Sequence, residues 1–483
     1  MRKQGFAAVV ILLLALGNVL AAPLISNQNT YLLPTTSPGV EGLRGDWFAH
    51  PPDPYRVFTA MSSVFYDLAG YTGLRVAAFL FTALALWGVY LVAKSLSDSE
   101  PVQIVATVLV GLTLLPIAQG SGQEYLSAFH GLAGQYLMWK PAYLQPSAAG
   151  CLVLLAFGLW LRERVWWAAL VVVVAGVIHP TYVVVAGVGL VAAAVADLVR
   201  GRGWRRFPGY AGTLVVGFVL TSVLNPGVGT LAGSSGTEAL RAFAFERIPH
   251  HTLWTSWRTH DLALLALIVL AIVLAMPLRE GRWLAVWMGV ATAIALGSAV
   301  VVEWTRWTTL ALLFPWRITA VIVPVAATVV AVRLGMLLAR WEFRHWRIAV
   351  VAVASAAAVW GLVGTITEQR PTVADPAVRA VLAAQPTGTG LVPLNAENVR
   401  ANAGVAVYID WKNTPYAGED LVTWWQRYGE VLEFERDHES ICSAPWADQI
   451  DWALLTIEPP SCMASWDVLA EQDGFIVIQR PEP

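Results

Sequence analysis

Two carboxylates, Asp46 and Asp53, lie in the stretch Arg-Gly-Asp-Trp-Phe-Ala-His-Pro-Pro-Asp-Pro-Tyr-Arg-Val-Phe-Thr over residues 44–59. Trp47, Phe48, Tyr55 and Phe58 surround them in sequence, and Pro51-Pro52 stiffens the chain between them. A carboxylate shielded from water by aromatic rings has a raised proton affinity and can take the proton of an attacking hydroxyl. The plainer alternative is an ordinary loop, in which Asp46 ends a turn and Asp53-Pro54 starts one.

Other polar groups are spread along a largely apolar chain. They are Glu124 in Gly-Ser-Gly-Gln-Glu-Tyr, His130, His179 before Pro180, Arg247 with His250 and His251 in Glu-Arg-Ile-Pro-His-His, Glu303, Arg306, and Arg317 in Phe-Pro-Trp-Arg. Guanidinium and imidazolium groups donate charge-assisted hydrogen bonds to phosphate oxygens, so Arg247, His250, His251 and Arg317 are candidate anion ligands. Arg317 next to Trp316 also fits an arginine that snorkels to a membrane interface beside an aromatic belt. His179 is a titratable group between two apolar runs, which suits either a functional site or a buried, hydrogen-bonded histidine.

The His-His pair is a metal-binding hint, but no third and fourth ligand follows at a recognisable spacing. No metal site is assigned, and a divalent cation is kept as an option only. Nucleophilic triads, phosphate-binding Walker loops and dinucleotide fingerprints are missing.

The elements that must position these groups are apolar spans. The chain has 483 residues, 57% hydrophobic and 13% charged, with 23 Trp. Its apolar residues gather in runs of about 17–25, the length that crosses a bilayer. Met1-Arg-Lys with the run 6–22 resembles a signal peptide, and we read it as an uncleaved first helix. Further runs fall at 74–96, 101–118, 143–161, 165–179, 181–199, 209–224, 261–278, 283–302, 317–339 and 347–365, giving about eleven spans.

Cytoplasmic loops are rich in Lys and Arg. With the N-terminus inside, the inner connections carry Arg162 and Arg164; Arg200, Arg202, Arg205 and Arg206; Arg279 and Arg282; and Arg340, Arg344 and Arg347. The outer face then receives the long loop 23–73, 119–142, His179-Pro180, 225–260 and 303–316, and with them the candidate residues named above, Arg317 standing at the outer mouth of the span 317–339. An odd number of spans puts the C-terminus outside. The expected protein is therefore mainly α, a polytopic membrane domain over 1–366 followed by a linker and a small extracytoplasmic α/β domain over 367–483.

Within that tail, 367–390 reads as the linker. Strand-like runs follow at 391–395, 405–411, 452–457 and 474–479, with an amphipathic helix near 418–435 carrying Leu421, Trp424, Trp425, Tyr428 and Leu432 at helical spacing. Cys442 and Cys462 are candidates for a disulfide in an oxidising compartment, or two free thiols, while Cys151 lies in an apolar run. A net charge of −2 without a basic tail speaks against a nucleic-acid partner.

Several strings together resemble the GT-C superfamily of polytopic glycosyltransferases, through a poorly characterised bacterial group allied to it. They are Asn27-Gln-Asn-Thr-Tyr31, Gly45-Asp-Trp-Phe48 with Asp53-Pro54, Ile178-His-Pro180, Arg247-Ile-Pro-His-His251, Pro315-Trp-Arg317, and Asp410-Trp-Lys-Asn-Thr-Pro-Tyr416 with Trp425 and Arg427. The resemblance implies an inner-membrane enzyme using a polyprenyl-phosphate sugar and a glycan or other envelope acceptor. It implies an acidic residue of the first outer loop as base, Asp46 first and Asp53 second, while charge and side of the membrane, rather than the resemblance, put Glu124, His179, Arg247, His250, His251 and Arg317 around substrate and lipid phosphate. Two rival classes are a transporter and a non-catalytic scaffold presenting the C-terminal domain. A transporter would carry charges within several spans or paired broken helices, whereas here the ionisable groups cluster at span ends.

Overall fold

The computed structural model describes residues 2–18, 24, 27–49, 55–114, 127–138, 144–201, 206–225, 234–340, 345–367, 374–415 and 419–481. Asp53 and Glu124 lie outside the described residues. The chain divides into two compact units. One comprises Met1–Ala21, Arg75–Asn225 and Phe243–Thr367; the other comprises Ala22–Leu74, Pro226–Ala242 and Glu368–Pro483.

The first unit is mainly helical. Among the described residues six helical stretches are long and apolar enough to cross a membrane: Arg56–Leu96, Thr181–Val199, Phe207–Leu224, Gly281–Thr305, Thr308–Ala339 and Trp346–Val363. Gln4–Leu16, Glu100–Leu112, Pro146–Leu161, Val165–Ile178 and Thr259–Ala275 are apolar but shorter, at 10–17 residues. Together these helices occupy the apolar runs read from the sequence. The first long helix begins well before the expected 74 and is interrupted at Ala69 and Gly70, where the backbone is not helical. Lipid-like surroundings offer no hydrophobic drive for one apolar helix to meet another, so small residues that admit close backbone approach set the contacts. Gly17 and Gly361 illustrate this: a Cβ on Gly361 would stand 2.5 Å from the Gly17 backbone.

The second unit holds a five-stranded sheet: β1 Thr389–Leu391, β2 Ala406–Val407, β3 Trp452–Leu455, β4 Asp467–Gln472 and β5 Phe475–Gln479. The strand order is β2-β1-β3-β5-β4; β1 is parallel to both β2 and β3, while β5 is antiparallel to β3 and β4. Val378, Val381, Val392, Val399, Val407, Trp452, Leu454 and Val477 form its core. β4 escaped the sequence reading because it is an edge strand with mostly exposed side chains, so no apolar alternation marks it.

The linker expectation for 367–390 is corrected in its described part, which contains the helix Pro376–Ala384. Asp375 caps it by accepting from the Ala377 and Val378 amides, Pro376 starts it, and Ala377, Val378, Ala380 and Val381 are buried. The helix Glu419–Arg436 lies where amphipathicity placed it, but its buried face is Leu421, Trp424, Val431 and Phe434. Tyr428 and Leu432 line a surface cleft instead. Cys442 and Cys462 are joined by a disulfide with a Cα–Cα separation of 5.4 Å, and Cys151 is buried and free.

Candidate functional site

In the helical unit the functional groups are arranged around a tight turn that sequence reasoning did not single out. His130 and Tyr136 form an antiparallel bridge, and Gln135 N donates to Leu132 O at 3.1 Å. Ala133 (φ 58°) and Gly134 (φ 60°) are both left-handed, the conformation of a type I′ turn. Position 134 needs glycine twice over, because a Cβ there would also press on the His251 ring at 3.2 Å.

The turn presents its backbone to neighbouring helices. The Ala133 amide donates to Asp261 Oδ1 at 2.8 Å, and the Ala133 carbonyl accepts from His251 Nδ1 at 2.9 Å. Gln135 is fully buried beside it, and its Oε1 accepts from Arg317 Nε at 2.6 Å. Arg317 Nη1 then donates to His179 Nε2 at 2.9 Å. Arginine has no acceptor, so Nε2 must be unprotonated and His179 neutral, with its proton on Nδ1. His179 sits in the break between Val165–Ile178 and Thr181–Val199, where Ala175 O still accepts from its amide. Trp316 Nε1 closes the cluster by donating to the His251 carbonyl at 2.7 Å.

Arg317 is half-buried, and its guanidinium lies 5.3 Å from the Phe314 ring centroid. Among the described residues no carboxylate pairs with it and no acceptor meets Nη2. A partly buried guanidinium without a counter-ion is costly to desolvate, and its free edge is shaped to fork onto an oxyanion. His250 is exposed, with its ring centroid 4.1 Å from that of His251, and Arg247 ends the single turn Phe243–Arg247 that precedes them.

Burial holds the His251 proton affinity well below the ordinary imidazole range, and His250, Arg317 and Arg247 lower it further. Below the unfolded value of about 6.5 the unfolded chain binds a proton that the folded His251 imidazole does not, so stability should fall as pH drops through that range. The melting temperature of the detergent-solubilised protein should therefore decline from pH 7.5 to pH 5.5. His251→Asn, which keeps a donor toward Ala133 O, should flatten the decline; parallel curves for the two proteins would exclude the histidine as its source.

The sheet-containing unit holds Asp46, and its environment is different from that expected of a base. The residue is 3% exposed. Oδ1 accepts from the Phe48 and Ala49 amides at 2.9 and 2.8 Å; Oδ2 accepts from Arg400 Nε at 3.0 Å and the Val407 amide at 2.9 Å. All four lone-pair directions are taken by donors of the protein itself, leaving none directed to a substrate hydroxyl. The arrangement ties the 44–49 segment to β2 and gives Asp46 a folding role.

Arg400 is the hub that sequence reasoning missed. Besides Asp46 it donates through Nη1 to Asp410 at 2.5 Å and through Nη2 to the Val407 carbonyl at 2.5 Å. Asp410 also accepts from the Lys412 and Asn413 amides and from Asn413 Nδ2. Nearby, Asn29 Nδ2 donates to Asn398 Oδ1 at 2.7 Å and the Thr30 hydroxyl to Asn413 Oδ1 at 3.1 Å. Arg427 lies over the Trp47 and Tyr408 rings at 5.0 and 4.3 Å from their centroids. A lone arginine between Val399 and Ala401 was the available signal for Arg400, since an apolar setting makes an arginine seek carboxylates.

The chain is similar over residues 384–431 to a family described as a domain of unknown function (DUF6798). Among curated proteins none matches it. Among solved structures it is similar to an Archaeoglobus fulgidus oligosaccharyltransferase crystallised with Zn and sulfate, at 13% identity and a TM-score of 0.48, covering 92% of this chain and 67% of that one.

The six strings quoted from the sequence fall into two sets. Those around His179, His251 and Arg317 meet in the helical unit, through Gln135 and the Ala133 turn. Those around Asn29, Asp46 and Asp410 meet in the sheet-containing unit, through Arg400, Asn398 and Asn413. Among the described residues no three His, Cys, Asp or Glu side chains converge as metal ligands would.

Proposed function

We propose that the chain is a membrane-embedded glycosyltransferase-like protein that moves a sugar from a polyprenyl-phosphate donor to an acceptor hydroxyl at the outer face of the bacterial plasma membrane. The observation that carries this reading is Arg317: half-buried, fixed by Gln135 and a neutral His179, and without a carboxylate partner among the described residues. Such a group suits the phosphate of a lipid carrier, with His250, His251 and Arg247 adding positive or hydrogen-bonding character nearby. The short basic connections read from the sequence and the Cys442–Cys462 disulfide support an outward-facing C-terminal domain.

In this reading a loop carboxylate takes the acceptor hydroxyl proton as the oxygen attacks the anomeric carbon. The bond from that carbon to the phosphate oxygen breaks, and the electron pair leaves on the polyprenyl phosphate, whose negative charge Arg317 stabilises. With the Asp46 oxygens already engaged, the base role passes to Asp53.

The test compares polyprenyl phosphate with polyprenol of the same chain length, each titrated against the full chain in lipid nanodiscs. The phosphate form should bind about tenfold or more tightly, a difference of about 1.4 kcal/mol. Equal affinity for the two would remove the anion site and the donor class with it.

A further inference from the structure

The three parallel strands β2, β1 and β3 point their carboxyl ends toward one edge of the sheet, where open α/β sheets hold their ligands. A cleft of about 640 Å³ opens at that edge, within the usual ~300–1,000 Å³ of small-ligand sites. Each parallel strand contributes to it: Asn395 follows β1, Trp411 follows β2, and Thr456 follows β3. Tyr428 and Glu435 of the helix Glu419–Arg436 form the facing wall.

The wall is fixed by its own hydrogen bonds. The Leu394 amide donates to Glu435 Oε1 at 2.8 Å, and the Trp411 amide to the Leu394 carbonyl at 2.9 Å. Trp411 and Tyr428 pack with ring centroids 4.5 Å apart and planes at 42°, giving a faceted aromatic surface. Around it stand one amide, one carboxylate and one hydroxyl, on Asn395, Glu435 and Thr456, all exposed. His438 also lines the cleft, and no Lys or Arg does.

This combination selects against anions, because a carboxylate faces the ligand without a guanidinium or ammonium to offset it. It suits a neutral polyhydroxylated molecule, whose C–H face can lie on an aromatic ring while its hydroxyls bond to amide, carboxylate and hydroxyl groups. We infer that the carboxyl-edge cleft of the sheet domain is a binding site for neutral saccharide units. The inference rests on the sheet domain alone and holds whether or not the chain transfers sugars.

The experiment applies the purified full-length protein in detergent to an array of short neutral oligosaccharides built from hexose, deoxyhexose, pentose and N-acetylhexosamine units. A nucleoside diphosphate serves as an anionic comparison. At least one neutral glycan should bind, and Trp411→Ala should weaken it by about tenfold or more, a typical loss for an aromatic anchor. Thr456→Trp fills the cleft from an exposed position, where folding is not at stake, and should abolish binding with the melting temperature unchanged. Absence of glycan binding, preference for the nucleotide, or glycan binding that survives Thr456→Trp would each overturn the assignment.

Discussion

Replacing Arg400 by Ala should destabilise the sheet-containing unit by about 3–5 kcal/mol, the usual cost of removing one partner from a buried ion pair. The guanidinium is fully buried and serves Asp46, Asp410 and the Val407 carbonyl at once, so its loss strands two carboxylates away from water. Arg400→Lys should recover only part of this, because an ammonium cannot reach three acceptors in the plane of a guanidinium. Asp46→Asn should also destabilise: the amide can satisfy one side of the network but places a donor where Arg400 Nε or a backbone amide already donates. Thermal melting followed by proteolysis of the sheet unit reports these losses. If Asp46→Asn melted like the native protein while abolishing sugar transfer, Asp46 would be the reacting carboxylate and its folding role would fall.

Arg317→Ala should weaken polyprenyl-phosphate binding about ten- to a hundredfold, or about 1.4–2.8 kcal/mol, at low salt. The effect should shrink at high ionic strength, because Arg317 is only half-buried and its attraction to phosphate is partly screened. Arg317→Lys should lie between the two, keeping the charge while losing the fork and the bond to His179 or Gln135. Removing the guanidinium leaves Gln135 Oε1 without its donor in a buried setting, so a stability loss of about 1–3 kcal/mol accompanies the change. Polyprenol binding separates the two effects. A variant that merely unfolds loses the alcohol and the phosphate together, whereas loss of an anion site spares the alcohol. Unchanged phosphate affinity in a folded Arg317→Ala protein would return Arg317 to the snorkelling arginine considered from the sequence.

Much of the architecture was legible because its determinants are local. Long runs of apolar residues mark the helices of the first unit, and the helix Glu419–Arg436 announced itself by its 3.6-residue period. Asp375-Pro376 carried a cap and a first helical residue that outweighed the polar, Gly-containing neighbourhood read as linker. Edge strand β4 was silent for the opposite reason: with its side chains in solvent, no periodic burial constrains its sequence.

The sequence by itself determined the chain's apolar helical character, the amphipathic helix and most of the strands of its tail, and the residues worth watching, from Asp46 to Arg317. Tertiary structure alone decided their partners. Asp46 and Asp410 are both bound by Arg400, 354 and 10 residues away in the chain respectively, and His179 and Gln135 by Arg317, 138 and 182 residues away. Whether an acidic residue is a base or a strut depends on how many of its lone pairs are engaged and on its access to water. Both are properties of packing between distant segments, and no local pattern encodes them.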